Sequence, residues 1–348
     1  FTVEPHRKTP MNETHRDAIQ ELMRFLDPLP AHAVITTHMQ PDADAIGSAC
    51  ALKGMLRNLG VHARIINESV TPRNLCFLPD AQSIEVYDAP LHDEVIRAAD
   101  VVFCCDLNDL RRTGRMAGIL GEDASRTVMI DHHVDPQPFY AASFHDVMAT
   151  STAELMFRWI HESFPQVLDV AVATNIYAGV MSDTGGFRFP RVTSATHRMV
   201  AVLMDSGADP VTIYDRMNNT WSIGKTRLLG AVLSTMSLHC DGQVCTVAIP
   251  FSMIQETGCS LEDLDGMVHH TLSIEGVRCG VLIAERNRER EIKLSFRSKG
   301  DFTVNAIAKG FGGGGHIYAA GARTTMGTLE EVRAEVIARV SRALDDVV

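Results

Sequence analysis

Long apolar runs are missing from this chain: none of its stretches approaches the roughly 20 residues needed to span a bilayer, so no membrane partner is expected. Basic charge is short as well. Lys and Arg total 32 against 43 Asp and Glu, a formal net charge of −11. That balance argues against binding long duplex nucleic acid, because non-specific affinity comes from cationic side chains neutralising phosphates. A small anionic ligand at one local site stays compatible with it. The eight cysteines show no zinc-ligand spacing: Cys104 and Cys105 are adjacent and the others sit singly in apolar surroundings. No secretory apolar segment opens the chain, so reduced thiols in a cytoplasm are expected. Internal repeats and low-complexity tracts are absent too, and Phe1–Pro10 reads as a loose polar arm.

What is present is an ordinary globular composition, 45% hydrophobic and 22% charged, over 348 residues, which is room for two domains. The stretch around which the rest is organised is His38–Ser48, HMQPDADAIGS. It follows the apolar run Ala33–Thr37, read as a short buried strand, and leads into Ala45–Leu59, read as a helix. One imidazole and two carboxylates therefore sit at a strand's carboxyl end, where open parallel sheets bind ligands. Asp42 and Asp44 would repel each other without a cation, and His38 adds a nitrogen ligand to hard oxygens, a mixture that suits Mn2+ or a similar ion. Taken alone, the stretch fits equally well a loop in which Asp42 or Asp44 caps the helix.

Further along, Asn12–Leu26 has helical spacing and is ended by Pro28 and Pro30. Ala63–Asn67 reads as a second strand, IEVY lies within a turn-rich segment as a short one, and Pro90–Ala99 reads as a helix. Val101–Cys105 is a continuous apolar run, the mark of a strand buried on both faces in a parallel sheet, and it ends on Asp106. Thr127–Ile130 ends on Asp131-His132-His133. Ala171–Met181, helix or strand, ends on Ser182-Asp183-Thr184-Gly185-Gly186. Acidic residues or histidines thus close four apolar segments, with no Lys among them. After Thr193 the pattern is helical: Ala195–Ser206, Val211–Met217 and Ile223–Leu238, the last read as a connector. From Gln243 strands alternate with short helices, then Asn305–Phe311 reads as a helix, followed by Gly312–Gly315 and His316. A final amphipathic helix runs from Leu329 to about Leu344.

HMQPDADAIGS, the strand end at Asp106, Ile130–His133 (IDHH) and Ser182–Phe187 (SDTGGF) resemble the four motifs of the DHH phosphoesterases. Phe311–His316 with Ala319-Ala320-Gly321 resembles the GGGH signature of their DHH-associated C-terminal domain. The resemblance runs from about Arg16 to the end, and it is nearest the branch of small nanoRNases that also hydrolyse 3′-phosphoadenosine 5′-phosphate (pAp). It implies an α/β fold: a parallel-sheet DHH domain (14–206), a helical linker (207–239) and a smaller α/β DHH-associated domain (240–348).

The resemblance also implies roles. His38 and Asp42 would bind one Mn2+, Asp44 and His132 the other; Asp106 would bridge them and Asp183 complete the second site, with Mg2+ or Co2+ as substitutes. Two ions about 4 Å apart would activate a water between them. His133 would face the phosphate or protonate the leaving oxygen; the alternative is a histidine that hydrogen-bonds a ligand carboxylate. Arg297 matches the substrate-binding arginine, with Asn305 as a helix cap or a second contact. Gly313, Gly314 and Gly315 with His316 would let backbone N–H groups approach a phosphate or base, or form a flexible turn. The implied activity is hydrolysis of very short oligoribonucleotides to 5′-mononucleotides, with pAp dephosphorylation beside it. Two rivals stand: a phosphodiesterase for cyclic di-AMP or pApA, and a nucleotide-binding regulator without turnover. A homodimer is expected from the same resemblance. Other residues read as structural: His269-His270 on a surface, Arg111, Arg112 and Arg115 on a solvated face, and Met156, Phe157 and Met199 in the core.

Overall fold

The computed structural model describes residues 13–287 and 291–345; Phe1–Pro10 lies outside the described residues. The chain divides into two compact units, Phe1–Thr220 and Trp221–Val348. In the first, the elements run α1 (Glu13–Phe25), β1 (His32–Thr36), α2 (Ala43–Asn58), β2 (His62–Asn67), β3 (Glu85–Val86), α3 (Ala89–Ala98), β4 (Val101–Cys105), α4 (Ala117–Leu120), β5 (Thr127–Asp131), β6 (Ala142–His145), α5 (Thr152–Ser163), α6 (Val170–Asp183), α7 (Ser194–Asp205) and α8 (Pro210–Asn218).

Six strands form one sheet in the order β3-β2-β1-β4-β5-β6, with every neighbouring pair parallel. The chain leaves β1 toward β2 on one side and later returns to place β4 on the other. The carboxyl ends of β1 and β4 therefore flank the point where the strand order reverses, the crevice where doubly wound sheets hold ligands. Every residue of β4 and β5 is buried, as their unbroken apolar runs demand. Phe103 and Trp159 are fully buried in the main core; each contributes of the order of 2–3 kcal/mol through removal from water.

Helix α2 is buried along most of its length and crosses α6 closely. Gly179 makes that approach feasible: a Cβ there would lie 2.6 Å from Ala153 Cβ and 2.9 Å from Asp44 Oδ1. The absence of a side chain on α6 thus lets Asp44 of α2 reach the start of α5. Ala171–Met181, left open between helix and strand, is helical: α6 is apolar on every face because it is enclosed by α2, α5 and α7, and an all-round apolar helix has no period to read. Strand β6 and helix α5 have no counterpart in the sequence reading beyond the core positions Met156 and Phe157, both buried.

The second unit contains α9 (Ile223–Ser234), β7 (Ser237–His239), β8 (Val244–Ile249), α10 (Phe251–Glu256), β9 (Cys279–Glu285), β10 (Ile292–Ser298), α11 (Asn305–Lys309), β11 (Gly314–Gly315), β12 (Ala319–Thr324) and α12 (Leu329–Asp345). Its sheet has the order β11-β12-β10-β9-β8-β7, parallel between β8 and β9 and antiparallel elsewhere. The segment 207–239, expected as a connector, is shared out between the units. Ile213 and Met217 of α8 enter the first core, whereas Leu228 and Val232 of α9 enter a core of the second. The run Ile223–Leu238 is also not one helix, since it ends at Ser234 and resumes as β7.

Candidate metal centre

Helix α2 begins two residues earlier than its apolar pattern suggests, and this sets the geometry of the first motif. Asp42 is the N-cap, its Oδ1 accepting from the N–H groups of Asp44 (3.0 Å) and Ala45 (3.1 Å). The capping role and the ligand role are therefore not alternatives, because the cap uses one carboxylate oxygen. Asp44 lies inside the first turn and is fully buried. Its Oδ2 and Oδ1 accept from the backbone N–H groups of Thr152 (2.7 Å) and Ala153 (2.8 Å) at the start of α5. A helix N-terminus favours negative charge, so α5 anchors this carboxylate from 108 positions away.

Asp106 follows β4 with φ of +57°, the left-handed region, which Asp and Asn tolerate better than other side chains. Its N–H is tied to the Ile130 carbonyl (2.9 Å), and the kink turns a buried carboxylate into the crevice. Thr152 Oγ1 donates to Asp106 Oδ1 at 3.1 Å.

Three histidines close on this carboxylate. His38 Nε2 lies 3.3 Å from Asp106 Oδ2, and His38 Nδ1 donates to the Met39 carbonyl at 2.8 Å. His132 Nε2 lies 3.3 Å from Asp183 Oδ2, 3.6 Å from Asp106 Oδ1 and 3.9 Å from Asp44 Oδ2, while its Nδ1 faces the Ala149 carbonyl at 3.4 Å. Since a carbonyl only accepts, Nδ1 carries the proton in both rings and Nε2 is turned to the carboxylates, the orientation of metal-ligating histidines. His133 is held differently. Its Nδ1 lies 2.8 Å from Asp131 Oδ1 and 3.4 Å from Asp106 Oδ1, and its backbone N–H donates to Asp131 Oδ2 at 3.1 Å.

The donor atoms form overlapping groups, each within 4.8 Å: His38, Asp42 and Asp106; Asp44, His132 and Asp183; and Asp106, His132 and His133. Asp106 thus belongs to two sets at once. Among the described residues no Lys or Arg lies within 4 Å of Asp44, Asp106 or Asp183.

Electrostatics show the strain of this crowd. Burial, then the charges of Asp183 and Asp106, drives the Asp44 carboxyl well above its ordinary range. Burial and Asp42 push Asp183 up to about 6, against the pull of His132; its place at the carboxyl end of α6 works in the same direction. Burial would lower the two imidazoles, but Asp106 raises His38, and Asp183, Asp106 and Asp44 raise His132 to about 10. Asp106 itself falls well below the usual carboxylate range: burial opposes this, and the surrounding His133, His38 and His132 outweigh it. The cluster holds protons where it lacks a cation. Donor types, histidine orientation and charge all fit divalent ions.

A pH dependence follows with a definite sign. Metal binding must displace the proton of His132, so affinity for a divalent ion should rise with pH from about 6 toward 10, by ~10-fold per pH unit for each proton released. Calorimetric titration in buffers of different ionisation enthalpy should show net proton release at pH 7. Affinity flat across that range would contradict the assignment.

All six expected metal ligands are therefore brought together, with His133 beside them. The remaining expected site residues lie in the second unit. Arg297 on β10 pairs across the sheet with Ala319. The side chain is half-buried, and desolvation lowers its pKa from the ordinary value, against the pull of Asp265. Nη1 donates to the Phe296 carbonyl at 2.9 Å, and among the described residues no carboxylate lies within 4 Å. Asn305 is the first residue of α11, and its Oδ1 accepts only from the neighbouring Ala306 N–H. The glycine run is not a flexible turn: Gly314 and Gly315 form β11, paired with Gly321 and Ala320. A Cβ on Gly313 would sit 2.0 Å from the Gly321 carbonyl oxygen, so close backbone packing alone demands glycine there. His316 is exposed beside it. Arg111 and Arg115 pair with Asp109 and Glu68, and His270 is exposed.

Sequence reasoning missed Thr152, Ala153 and Asp131. A local signal existed for the first two: Ser151-Thr152-Ala153-Glu154 has the S-x-x-E pattern of a helix start, and Ser151 indeed caps α5 through the Glu154 N–H.

The doubly wound sheet with a carboxylate–imidazole cluster at its switch point defines an α/β protein with a candidate divalent-metal site. The model of the DHH family, N-terminal domain, matches residues 32–180, and that of the DHHA1 domain matches residues 241–344. The chain belongs to the DHH family and is a phosphoesterase. It is 31% identical over 310 residues to the bifunctional oligoribonuclease and PAP phosphatase NrnA of Thermus thermophilus, covering 89% of both chains. Its fold is similar to that of an exopolyphosphatase-related protein from Bacteroides fragilis, with a TM-score of 0.89, 30% identity and coverage of 95% of this chain and 98% of that one. A more distant similarity, 25% over 341 residues, joins 93% of this chain to 49% of the cyclic-di-AMP phosphodiesterase PdeA of Listeria monocytogenes. Among the described residues no helix is long and apolar enough to cross a membrane.

Proposed function

We propose that the chain hydrolyses very short oligoribonucleotides to 5′-mononucleotides and dephosphorylates pAp, using two divalent ions, Mn2+ in the first place. The carrying observation is the carboxylate of Asp106, shared by two donor groups at the sheet's switch point. The oligoribonuclease and PAP phosphatase activity of the Thermus relative, similar over most of both chains, points to the same substrates.

In this reading His38, Asp42 and Asp106 would hold one ion, and Asp44, His132 and Asp183, with Asp106, would hold the other. The ions, when bound, supply Lewis acidity to the phosphate and lower the pKa of water. Asp131 grips His133 Nδ1, which fixes the tautomer and presents the opposite ring edge, so Nε2 donates a proton to the leaving oxygen. The α5 N-terminus keeps Asp44 in place as a ligand. In the second unit Arg297 and the β11 edge would contact substrate: a half-buried guanidinium with no carboxylate within 4 Å among the described residues suits a phosphate, which it can pair bidentately.

Incubation with Mn2+ and, separately, pAp, a 2–5-mer RNA, a 24-mer RNA and cyclic di-AMP tests the substrate class. Rapid release of mononucleotides from the short RNA and of AMP from pAp is expected, with the 24-mer cut at least ~10-fold more slowly, since a grip limited to a terminal nucleotide gains nothing from extra phosphates. Turnover of cyclic di-AMP alone would favour the second reading, which the PdeA similarity supports. Nucleotide binding without turnover would indicate a regulator.

A further inference from the structure

Asp183 is followed at once by an exposed loop, Gly186–Arg191, that the metal centre does not use. Its sequence, GFRFPR, places an aromatic ring between two arginines in a chain of net charge −11. Several other arginines of the first unit pair with carboxylates, as in Arg57–Asp80, Arg64–Glu85 and Arg97–Glu122. Among the described residues Arg188 and Arg191 have no carboxylate within 4 Å.

The loop is held firmly. The N–H groups of Arg188 and Phe189 both donate to the Thr184 carbonyl (3.0 and 3.1 Å), and Val192 N–H donates to the Phe189 carbonyl (2.9 Å). Thr184 Oγ1 accepts from Phe187 N–H at 3.0 Å. The Phe189 ring rests on Gly185, where a Cβ would lie 2.5 Å from two ring carbons, yet 41% of the residue is exposed. The Arg188 guanidinium stands 5.9 Å from the ring centroid. Arg191 Nη1 donates to the Ala149 carbonyl at 3.4 Å, the same carbonyl that faces His132 Nδ1. One carbonyl therefore joins a cationic fork to a proposed metal ligand.

An exposed ring flanked by unneutralised guanidinium groups is what single-stranded nucleic acid recognises, bases stacking on the ring and phosphates pairing with the forks. We propose that Arg188, Phe189 and Arg191 form a nucleotide subsite beside the metal centre. The guanidinium groups pair with the phosphate next to the scissile one, and Phe189 stacks on a base. The subsite confers preference for substrates that carry a second phosphate. This rests on the reading that the centre cuts nucleotide phosphoesters.

The test compares pApA, ApA without the 5′-phosphate, and bis(4-nitrophenyl) phosphate, which has one phosphate and no base. In the double variant Arg188→Gln/Arg191→Gln, KM for pApA should rise about 10–100-fold, the scale of lost charge-assisted contacts. Its kcat should stay within about twofold, and ApA, bis(4-nitrophenyl) phosphate and metal content should be unaffected. Phe189→Ala should raise KM for both dinucleotides by about 5–100-fold, as loss of one stacked base does. Equal losses on pApA and ApA in the double variant, no loss on either, or a loss on bis(4-nitrophenyl) phosphate would overturn the subsite. A wild-type protein that cuts bis(4-nitrophenyl) phosphate but neither dinucleotide would instead overturn the nucleotide reading, and the subsite with it.

Discussion

Asp106→Asn should abolish turnover, lowering kcat/KM by more than about 10^3-fold, or ~4 kcal/mol of transition-state stabilisation. The reason is its double membership: the carboxylate groups with His38 and Asp42 on one side and with His132 and His133 on the other, so neutralising it would weaken both proposed ion sites at once. Asn is the informative replacement. It tolerates the φ of +57° that Asp106 adopts and can still accept from Thr152 Oγ1, so the fold should persist. Asp106→Ala would add backbone strain of about 1 kcal/mol and blur the reading. Steady-state kinetics at saturating divalent ion, with metal content measured alongside, checks this. An Asn variant that kept both ions and more than a tenth of the activity would show that Asp106 does not bridge.

Asp183→Asn should change stability in opposite directions with and without metal. In the metal-free protein the buried carboxyl is raised to about 6, above its ordinary 3.8. A raised carboxyl contributes stability below the unfolded pKa and loses it as pH rises through the folded one. At pH 8 the ionised Asp183 is therefore a liability of about 3 kcal/mol, a balance that already includes the pull of His132 at 3.3 Å. Asn removes the charge, so the metal-free variant should melt higher than the metal-free parent at pH 8, and the two should converge below about pH 4. With divalent ion present the order should invert, because the parent gains binding free energy that the variant has lost. Thermal melts at the two pH values, with chelator and with excess Mn2+, read all four states. A parent that is the more stable in all of them would contradict a centre tuned for cations.

Much of this was legible because the informative features are local. His38, Asp42 and Asp44 fall within seven residues, and Asp106 and Asp131-His132-His133 end apolar runs long enough to identify as buried strands. What spacing cannot show is a contact between distant segments. Asp44 needs the N–H groups of Thr152 and Ala153, and nothing in HMQPDAD announces them. Asp131 reads as the end of a strand, but its carboxylate takes both the side chain and the backbone N–H of His133. Helix α6 escaped assignment because it is enclosed on all sides and so lacks an apolar period. The glycine run had a different obscurity: its pairing with β12 depends on a turn through His316, and only the assembled backbone shows that Gly313 must lack a Cβ. The segment 207–239 looked uniform in sequence because its two helices follow each other with only a short break, although they bury apolar residues in different cores.

The central claim is that these side chains hold two ions that share Asp106. Anomalous scattering at the manganese edge, from crystals grown with Mn2+, addresses it directly. The account expects two peaks per chain, one within reach of His38, Asp42 and Asp106, the other within reach of Asp44, His132, Asp183 and Asp106, separated by about 4 Å. A single peak, or peaks that leave Asp106 outside both coordination shells, would contradict it.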